Sequence, residues 1–85
     1  MSVTNGSRIL TMSTPSGEVE VTRLPLHSEG PNTQWMWVAR SRGDAHWRRG
    51  ASAREVIGRA TQLKGGAWPR WLAEAARKAE QELSP

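Results

Sequence analysis

The sequence contains no cysteine, which excludes disulfide bonds, thiolate metal sites and a cysteine nucleophile. No stretch of it approaches the roughly 18 consecutive apolar residues of a membrane-spanning helix. Its first residues also lack the apolar segment of a secretory signal. We therefore expect a cytoplasmic protein that does not insert into a membrane.

Histidine is scarce, since it occurs only at His27 and His46, and neither stands beside a cluster of acidic residues. Two isolated imidazoles do not form a metal site, so the sequence predicts no metal and no cofactor. Ser41, Asp44 and His46 lie close together in sequence. An exposed turn, however, does not provide the desolvated site where a nucleophile, a base and an orienting acid must converge. We expect a protein that is not an enzyme.

Phenylalanine and tyrosine are missing, whereas tryptophan occurs five times. The 85 residues suit a single small domain over residues 1–85, in which the core is thin. Each buried tryptophan removes about 150–250 Å² from water. Some of the five tryptophans are therefore expected to form the core before any of them binds a partner.

Three segments predict β-strands. Residues 8–12 form a short apolar run, and residues 18–24 alternate between apolar and polar side chains. Residues 34–42 are apolar on both faces, which is typical of a central strand or of one that offers an aromatic face to a partner. We expect residues 1–7 to be a flexible leader. Pro25 is predicted to end the second strand, because it cannot donate to a sheet, and the composition of residues 26–33 predicts a loop.

A fourth strand is predicted after Gly43 and Asp44, which both tolerate the positive φ of a tight hairpin. Two registers remain open at this stage. A two-residue loop places Val38 opposite Arg49, whereas a three-residue loop shifts the pairing by one residue. That shift moves Trp47 to the other face of the sheet.

Two helices complete the predicted fold. Ser52 followed by Glu55 is a capping-box pattern, and helical spacing of apolar residues continues from there to Leu63, before a Gly-Gly stop. Pro69 favours the start of the second helix. The predicted order is ββββαα, an α+β domain in which an antiparallel sheet of three to four strands is followed by two helices packed on one face.

The net charge of +4 is concentrated in residues 40–59, which hold six arginines against two acidic residues. Arginine suits phosphate, and tryptophan stacks on unpaired bases, so this segment predicts nucleic-acid binding. The hypothesis requires the guanidinium groups of residues 40–49 to face water along one ribbon, unpaired by Glu18 or Glu20. The candidate contact residues are Trp35, Trp37, Arg40, Arg42, His46, Trp47, Arg48, Arg49, Arg54 and Arg59.

The segment 35–60 combines an aromatic strand, Arg-x-Arg before a Gly-Asp turn, a second strand ending in Arg-Arg-Gly, and a capped helix. In this it resembles the arm-type DNA-binding domain of phage and mobile-element integrases. In that family a three-stranded sheet backed by one helix inserts into the major groove. The resemblance implies that the hairpin arginines contact DNA. The chain departs from the family in its second helix and in having Trp47 where a polar strand is usual.

The same outline also suits a phage or mobile-element inhibitor, or an antitoxin, that binds an acidic surface of a host protein. Tryptophan and arginine are the residues most enriched at interface hot spots. A homodimer formed through an exposed edge strand, such as residues 8–12, is a third alternative. The residues alone do not separate these partners from DNA.

Overall fold

The fold is built on one antiparallel sheet. The computed structural model describes residues 8–29, 32–63 and 68–83, so the predicted leader lies outside the described residues. The sheet order is β1-β2-β3-β4, and helices α1 and α2 pack on the sheet and on each other. This confirms the predicted α+β class. The elements are β1 (Leu10–Thr14), β2 (Gly17–Glu29), β3 (Asn32–Ser41), β4 (Arg48–Gly50), α1 (Ala53–Ala60) and α2 (Arg70–Leu83).

The core lies between the helices and one face of the sheet. β2 pairs with β3 so that Val21 stands opposite Ala39, and both side chains are fully buried. Because side chains alternate along a strand, every second residue of β2 and β3 shares this face. α1 lies against β3 and β4, and α2 lies against β1. The core residues are Met12, Val19, Val21, Trp37, Ala39, Ala53, Val56, Ile57, Ala60, Leu72, Ala76 and Ala79.

β2 and β3 continue past the other two strands as a two-stranded extension. Pairing reaches Glu29 opposite Asn32, so residues 26–29 and 32–33 lie in strands where the sequence predicts a loop. β1 pairs with β2 only as far as Val21, and the register shifts between Pro25 and His27. A proline at a free strand edge or a bulge interrupts no hydrogen-bond ladder, which is why Pro25 does not end β2.

The connection from β3 to β4 is longer than the predicted tight hairpin. Val38 pairs with Arg49, which is the register of a two-residue loop, yet residues 42–47 all lie outside the strands. The amide of Asp44 donates to the Ser41 carbonyl at 2.9 Å, and Gly43 at the turn has φ of 93°. The Asp44 carboxylate then accepts from the His46 amide at 3.0 Å. These local bonds satisfy the backbone without a two-residue turn.

The capping signal at the start of α1 is confirmed. Ser52 is the N-cap residue, and its hydroxyl accepts a hydrogen bond from the Glu55 amide at 3.2 Å. Glu55 reaches back in turn, and its carboxylate accepts from the Ala51 amide at 3.1 Å. Two amides at the helix start are thereby satisfied, as in a capping box displaced by one residue.

The end of α1 differs from the prediction. α1 stops at Ala60, and Gln62 takes the left-handed conformation with φ of 58°. The amide of Leu63 donates to the Gly58 carbonyl and that of Gln62 to the Arg59 carbonyl, each at 3.1 Å. This is a Schellman motif, in which glycine is the usual left-handed residue. The predicted glycine stop falls in residues 64–67, outside the described residues.

Replacing Gln62 by glycine is expected to stabilise the domain. A side chain in the left-handed region carries a steric cost that glycine avoids, so Gln62→Gly should gain about 0.5–1 kcal/mol in the free energy of unfolding. Urea denaturation measures the change.

The matched control is Gln81→Gly, because Gln81 is exposed within α2. Glycine there should lose about 0.5–1 kcal/mol. A loss of stability in both variants would show that the left-handed conformation of Gln62 carries no cost.

Candidate nucleic-acid interface

Two of the predicted contact arginines are neutralised by glutamates on the neighbouring strand. Arg40 Nε donates to Glu20 Oε1 at 2.6 Å, and an Arg42 guanidinium nitrogen donates to Glu18 Oε1 at 2.5 Å. Glu20 stands directly opposite Arg40 in the β2–β3 register. The hydrogen bond from Arg42 to Glu18, together with the Glu18 charge, raises the pKa of Arg42 above its ordinary value. The expectation that these groups face water unpaired is therefore wrong.

The remaining hairpin arginines do not share one face of the sheet. Arg48 pairs with Ala39, whose side chain points into the core, whereas Arg49 pairs with Val38 on the other face. The expected single ribbon of guanidinium groups is thus also wrong, and residues 40–49 do not form the nucleic-acid surface in the way that the sequence predicts. Since β4 is the last strand of the sheet, both side chains nevertheless border the same edge.

At this edge lies an open groove of about 660 Å³ between β4 and the end of α1. We call it the arginine groove. Arg59 projects from the last turn of α1, and it donates to the Arg49 carbonyl at 2.7 Å and to Glu55 at 2.6 Å. These contacts tie the helix end to the edge strand. The groove is lined by Trp47, Arg48, Arg49, Arg59, Gln62 and Leu63.

The charge in the arginine groove is only partly compensated. Arg49 forms no ion pair with any carboxylate in the described part of the chain. Arg48 lies 3.9 Å from the Asp44 carboxylate, the longest ion-pair distance among the described residues. Guanidinium groups form bidentate hydrogen bonds with phosphate and carboxylate. The groove is therefore chemically suited to an anion.

Trp47 is held at one side of this groove by Arg40. The Arg40 guanidinium lies 4.4 Å from the centre of the indole ring, a cation–π contact. Arg40 is itself fixed by Glu20, and it also donates to the Asp44 carbonyl at 3.4 Å. The half-buried indole is thus supported on one face by a side chain that has little freedom.

The tryptophans of β3 do not join the groove. Trp37 is only 7% exposed and belongs to the core, so its prediction as a contact residue is wrong. Trp35 is half-buried, and the Arg23 guanidinium lies 4.0 Å from its ring. Arg23 Nε is buried and has no hydrogen-bond partner among the described residues. Arg23 thus covers Trp35 and, at 5.7 Å, the ring of Trp37.

The other two predicted residues lie apart from the groove lining. Arg54 is exposed on α1, and its guanidinium lies 5.2 Å from the ring of Trp68, which is itself 52% exposed. His46 is exposed in the β3–β4 connection, where its amide bonds to Asp44. Neither Arg54 nor His46 lines the arginine groove.

Sequence reasoning missed the two residues that close the groove, Gln62 and Leu63. They reach it because the Schellman motif turns the chain away from the α1 axis, whereas helical periodicity predicts Leu63 inside a longer helix. Leu63 is 37% exposed instead of buried. Nothing in the neighbouring sequence indicates that a glutamine takes the left-handed conformation here. The sequence therefore does not predict that Gln62 and Leu63 close the groove.

Within residues 8–29, 32–63 and 68–83, no three histidine, cysteine or acidic side chains gather as metal ligands. Neither helix in those ranges is long and apolar enough to cross a bilayer. No protein-family model, no curated protein and no solved structure matches this chain. The resemblance to integrase arm-type domains therefore stays a prediction.

The Asp44 turn is expected to respond to acid. The hydrogen bond from the His46 amide, with the nearby Arg48 charge, lowers the pKa of Asp44 below its ordinary value. A carboxyl whose pKa is lower in the folded state stabilises the fold. This stabilisation is complete above the pKa of the unfolded state, about 3.9, and is lost as the pH falls through the pKa of the folded state. The stability difference between wild type and Asp44→Asn should therefore be largest near neutral pH and shrink below about pH 4. Urea denaturation at several pH values measures it.

Glu74→Gln is the control, because the Glu74 side chain forms no ion pair in the described part of the chain. Its stability difference from wild type should not shrink in the same way. A pH-independent difference for Asp44→Asn would contradict the assignment.

Proposed function

We propose that this chain is a non-enzymatic DNA-binding module whose contact surface is the arginine groove. The observation that carries the proposal is the convergence of three guanidinium groups and one indole on the edge of the sheet. One of those guanidinium groups, that of Arg49, has no carboxylate partner among the described residues. The groove thus joins charge for phosphates with an aromatic surface for bases.

The three arginines have different roles in this proposal. Arg49 contacts a phosphate without first giving up an ion pair. Arg48 exchanges its 3.9 Å contact with Asp44 for a phosphate, a small cost because an exposed ion pair of that length is weak. Arg59 stays bonded to Glu55 and to the Arg49 carbonyl, so it fixes the shape of the wall. Binding releases counterions from the nucleic acid, and affinity therefore falls with salt.

The part of the sheet face around Arg40 and Arg42 is not part of the proposed surface, although Arg49 at the edge of the sheet lies on the same face. Each of these arginines is paired with a glutamate on β2. A phosphate approaching this face meets the carboxylates of Glu18 and Glu20 as closely as the guanidinium groups. The face therefore offers little net attraction to a polyanion.

Replacing Arg48 and Arg49 together by glutamine should weaken DNA binding and its salt dependence. Each lost phosphate contact reduces the magnitude of the slope of log K against log salt by about 0.7–0.9. The slope measured for the double variant should therefore be smaller in magnitude by about 1.4–1.8. Fluorescence anisotropy with labelled DNA, titrated at several salt concentrations from about 50 mM upward, measures both quantities.

The matched control is the double variant Arg70→Gln and Arg77→Gln, which loses the same charge on the exposed side of α2. It should retain most of the affinity, and so should Arg42→Gln. Equal losses in the two double variants would mean that net charge, and not the groove, determines binding. Absence of DNA binding by the wild type at about 50 mM salt would overturn the proposal.

A second candidate is binding to a host protein, as an inhibitor or antitoxin does. The observation that favours it is the 52% exposed Trp68 beside Arg54, a pair typical of interface hot spots. In this case a protein partner should be captured in the presence of nuclease. Trp68→Ala should then weaken capture by about 2 kcal/mol or more while DNA affinity stays unchanged. Nuclease-sensitive capture would favour the DNA proposal instead.

A further inference from the structure

We propose that the arginine groove takes an unpaired base of single-stranded nucleic acid, stacked on Trp47, with the adjacent phosphates on Arg48 and Arg49. This inference rests on the proposed function and specifies the state of the nucleic acid that the groove recognises. It is carried by the support beneath Trp47, the shape of the groove, and the charges on the neighbouring sheet face.

The support beneath Trp47 forms a layered stack of side chains. Glu20 holds Arg40 at 2.6 Å, and Arg40 lies 4.4 Å from the centre of the Trp47 ring. One face of the indole is therefore already occupied by a cation, while Trp47 also lines the groove. In the proposed complex a base stacks on the other face of the indole and extends this stack by one layer. Because the indole is already immobilised, stacking on it costs little further side-chain entropy.

The shape of the groove suits a single extruded base. The groove is open and its volume is about 660 Å³, so it has room for a base while the rest of the strand stays in solvent. Apolar surface comes from Trp47 and from Leu63, whose side chain is 37% exposed. Polar groups come from the arginines and Gln62. A concave site of this composition receives a flat, polar-edged ring together with its phosphate.

A duplex cannot use these features together. Its bases are stacked on one another, so none presents a face to Trp47. A β-ribbon that enters the major groove would have to present Arg40 and Arg42, and both are bonded to glutamates. The carboxylates of Glu18 and Glu20 would then face the duplex phosphates at close range. The geometry thus favours an unpaired strand at the sheet edge over a duplex on the sheet face.

The test compares four ligands: oligothymidine, a duplex of the same length, an abasic strand of the same length, and thymidine monophosphate. The wild type should bind oligothymidine more tightly than the duplex. Stacking of one base predicts that the abasic strand binds about 5- to 150-fold more weakly than oligothymidine. The mononucleotide should bind far more weakly, since it offers only one phosphate.

Variants at Trp47 should separate stacking from charge. Trp47→Leu should weaken oligothymidine binding by the same factor of about 5 to 150, and should leave abasic-strand binding unchanged. Trp47→Phe keeps an aromatic face and should retain most of the affinity. Trp68→Leu makes the same exchange outside the groove and should have no effect. Circular dichroism confirms that each variant is folded, and the comparison of oligothymidine with the abasic strand on the wild type carries the test if Trp47→Leu is not.

The outcomes distinguish the two proposals. If no ligand binds, the proposed function fails and this inference fails with it. If DNA binds but the duplex or the abasic strand binds as tightly as oligothymidine, only the unpaired-base inference is overturned. Equal affinity for the mononucleotide would identify a nucleotide ligand and would also overturn it.

Discussion

The pairing of β2 with β3 is the constraint on which the rest of the molecule depends. It places Val21 opposite Ala39, both without solvent exposure, at the centre of the face that the helices cover. A slip of one residue would carry every β3 side chain to the other face. Trp37 and Ala39 would then leave the core, and Val38 and Arg40 would enter it. In a domain of this size no second core exists to compensate for that loss.

The same register decides which arginines are paired with a carboxylate. It sets Glu20 across from Arg40, and it continues into the turn, where Arg42 is bonded to Glu18 through both backbone and side chain. These partly exposed pairs contribute little to stability, but they cancel the charge of the sheet face. β4 lies outside this arrangement because β2 and its glutamates are two strands away. Arg49 at the sheet edge therefore has no cross-strand glutamate.

The fold class was predictable because several local signals agree. The alternation in residues 18–24 marks β2, and Ser52 with Glu55 marks the start of α1, as the structure confirms. The cross-strand ion pairs were not predictable. Their partners lie about twenty residues apart, and the pairing depends on the hairpin that Pro25 obscured. Strand propensity and helix capping are local, so sequence patterns reveal them. Strand register depends on long-range packing, and sequence patterns therefore do not reveal it.

The arginine groove was less predictable than the fold because one of its walls is formed where the chain turns at the end of α1. Arg48, Arg49 and Arg59 are evident candidates from charge alone, and the structure brings them together. The opposite wall depends on the left-handed Gln62, which directs Leu63 toward β4 instead of along the helix. A glutamine in that conformation gives no compositional signal. Only coordinates could show that the end of α1 borders the groove.

The arginines of this chain fall into two groups, those that cover a tryptophan ring and those that do not. An inference from the high arginine content has to treat the two groups separately. Arg23, Arg40 and Arg54 each lie over a tryptophan ring, at 4.0, 4.4 and 5.2 Å respectively. In such stacking the aliphatic part of the arginine side chain covers apolar surface while the charged group keeps contact with water. The arginine side chains thereby shield from water the indoles that a thin core cannot bury. Arg48 and Arg49 show no such contact with a ring in the described residues. Since they neither cover an indole nor form a short ion pair, a structural role does not account for their charge. The proposed contact with phosphates rests on these two guanidinium groups for that reason.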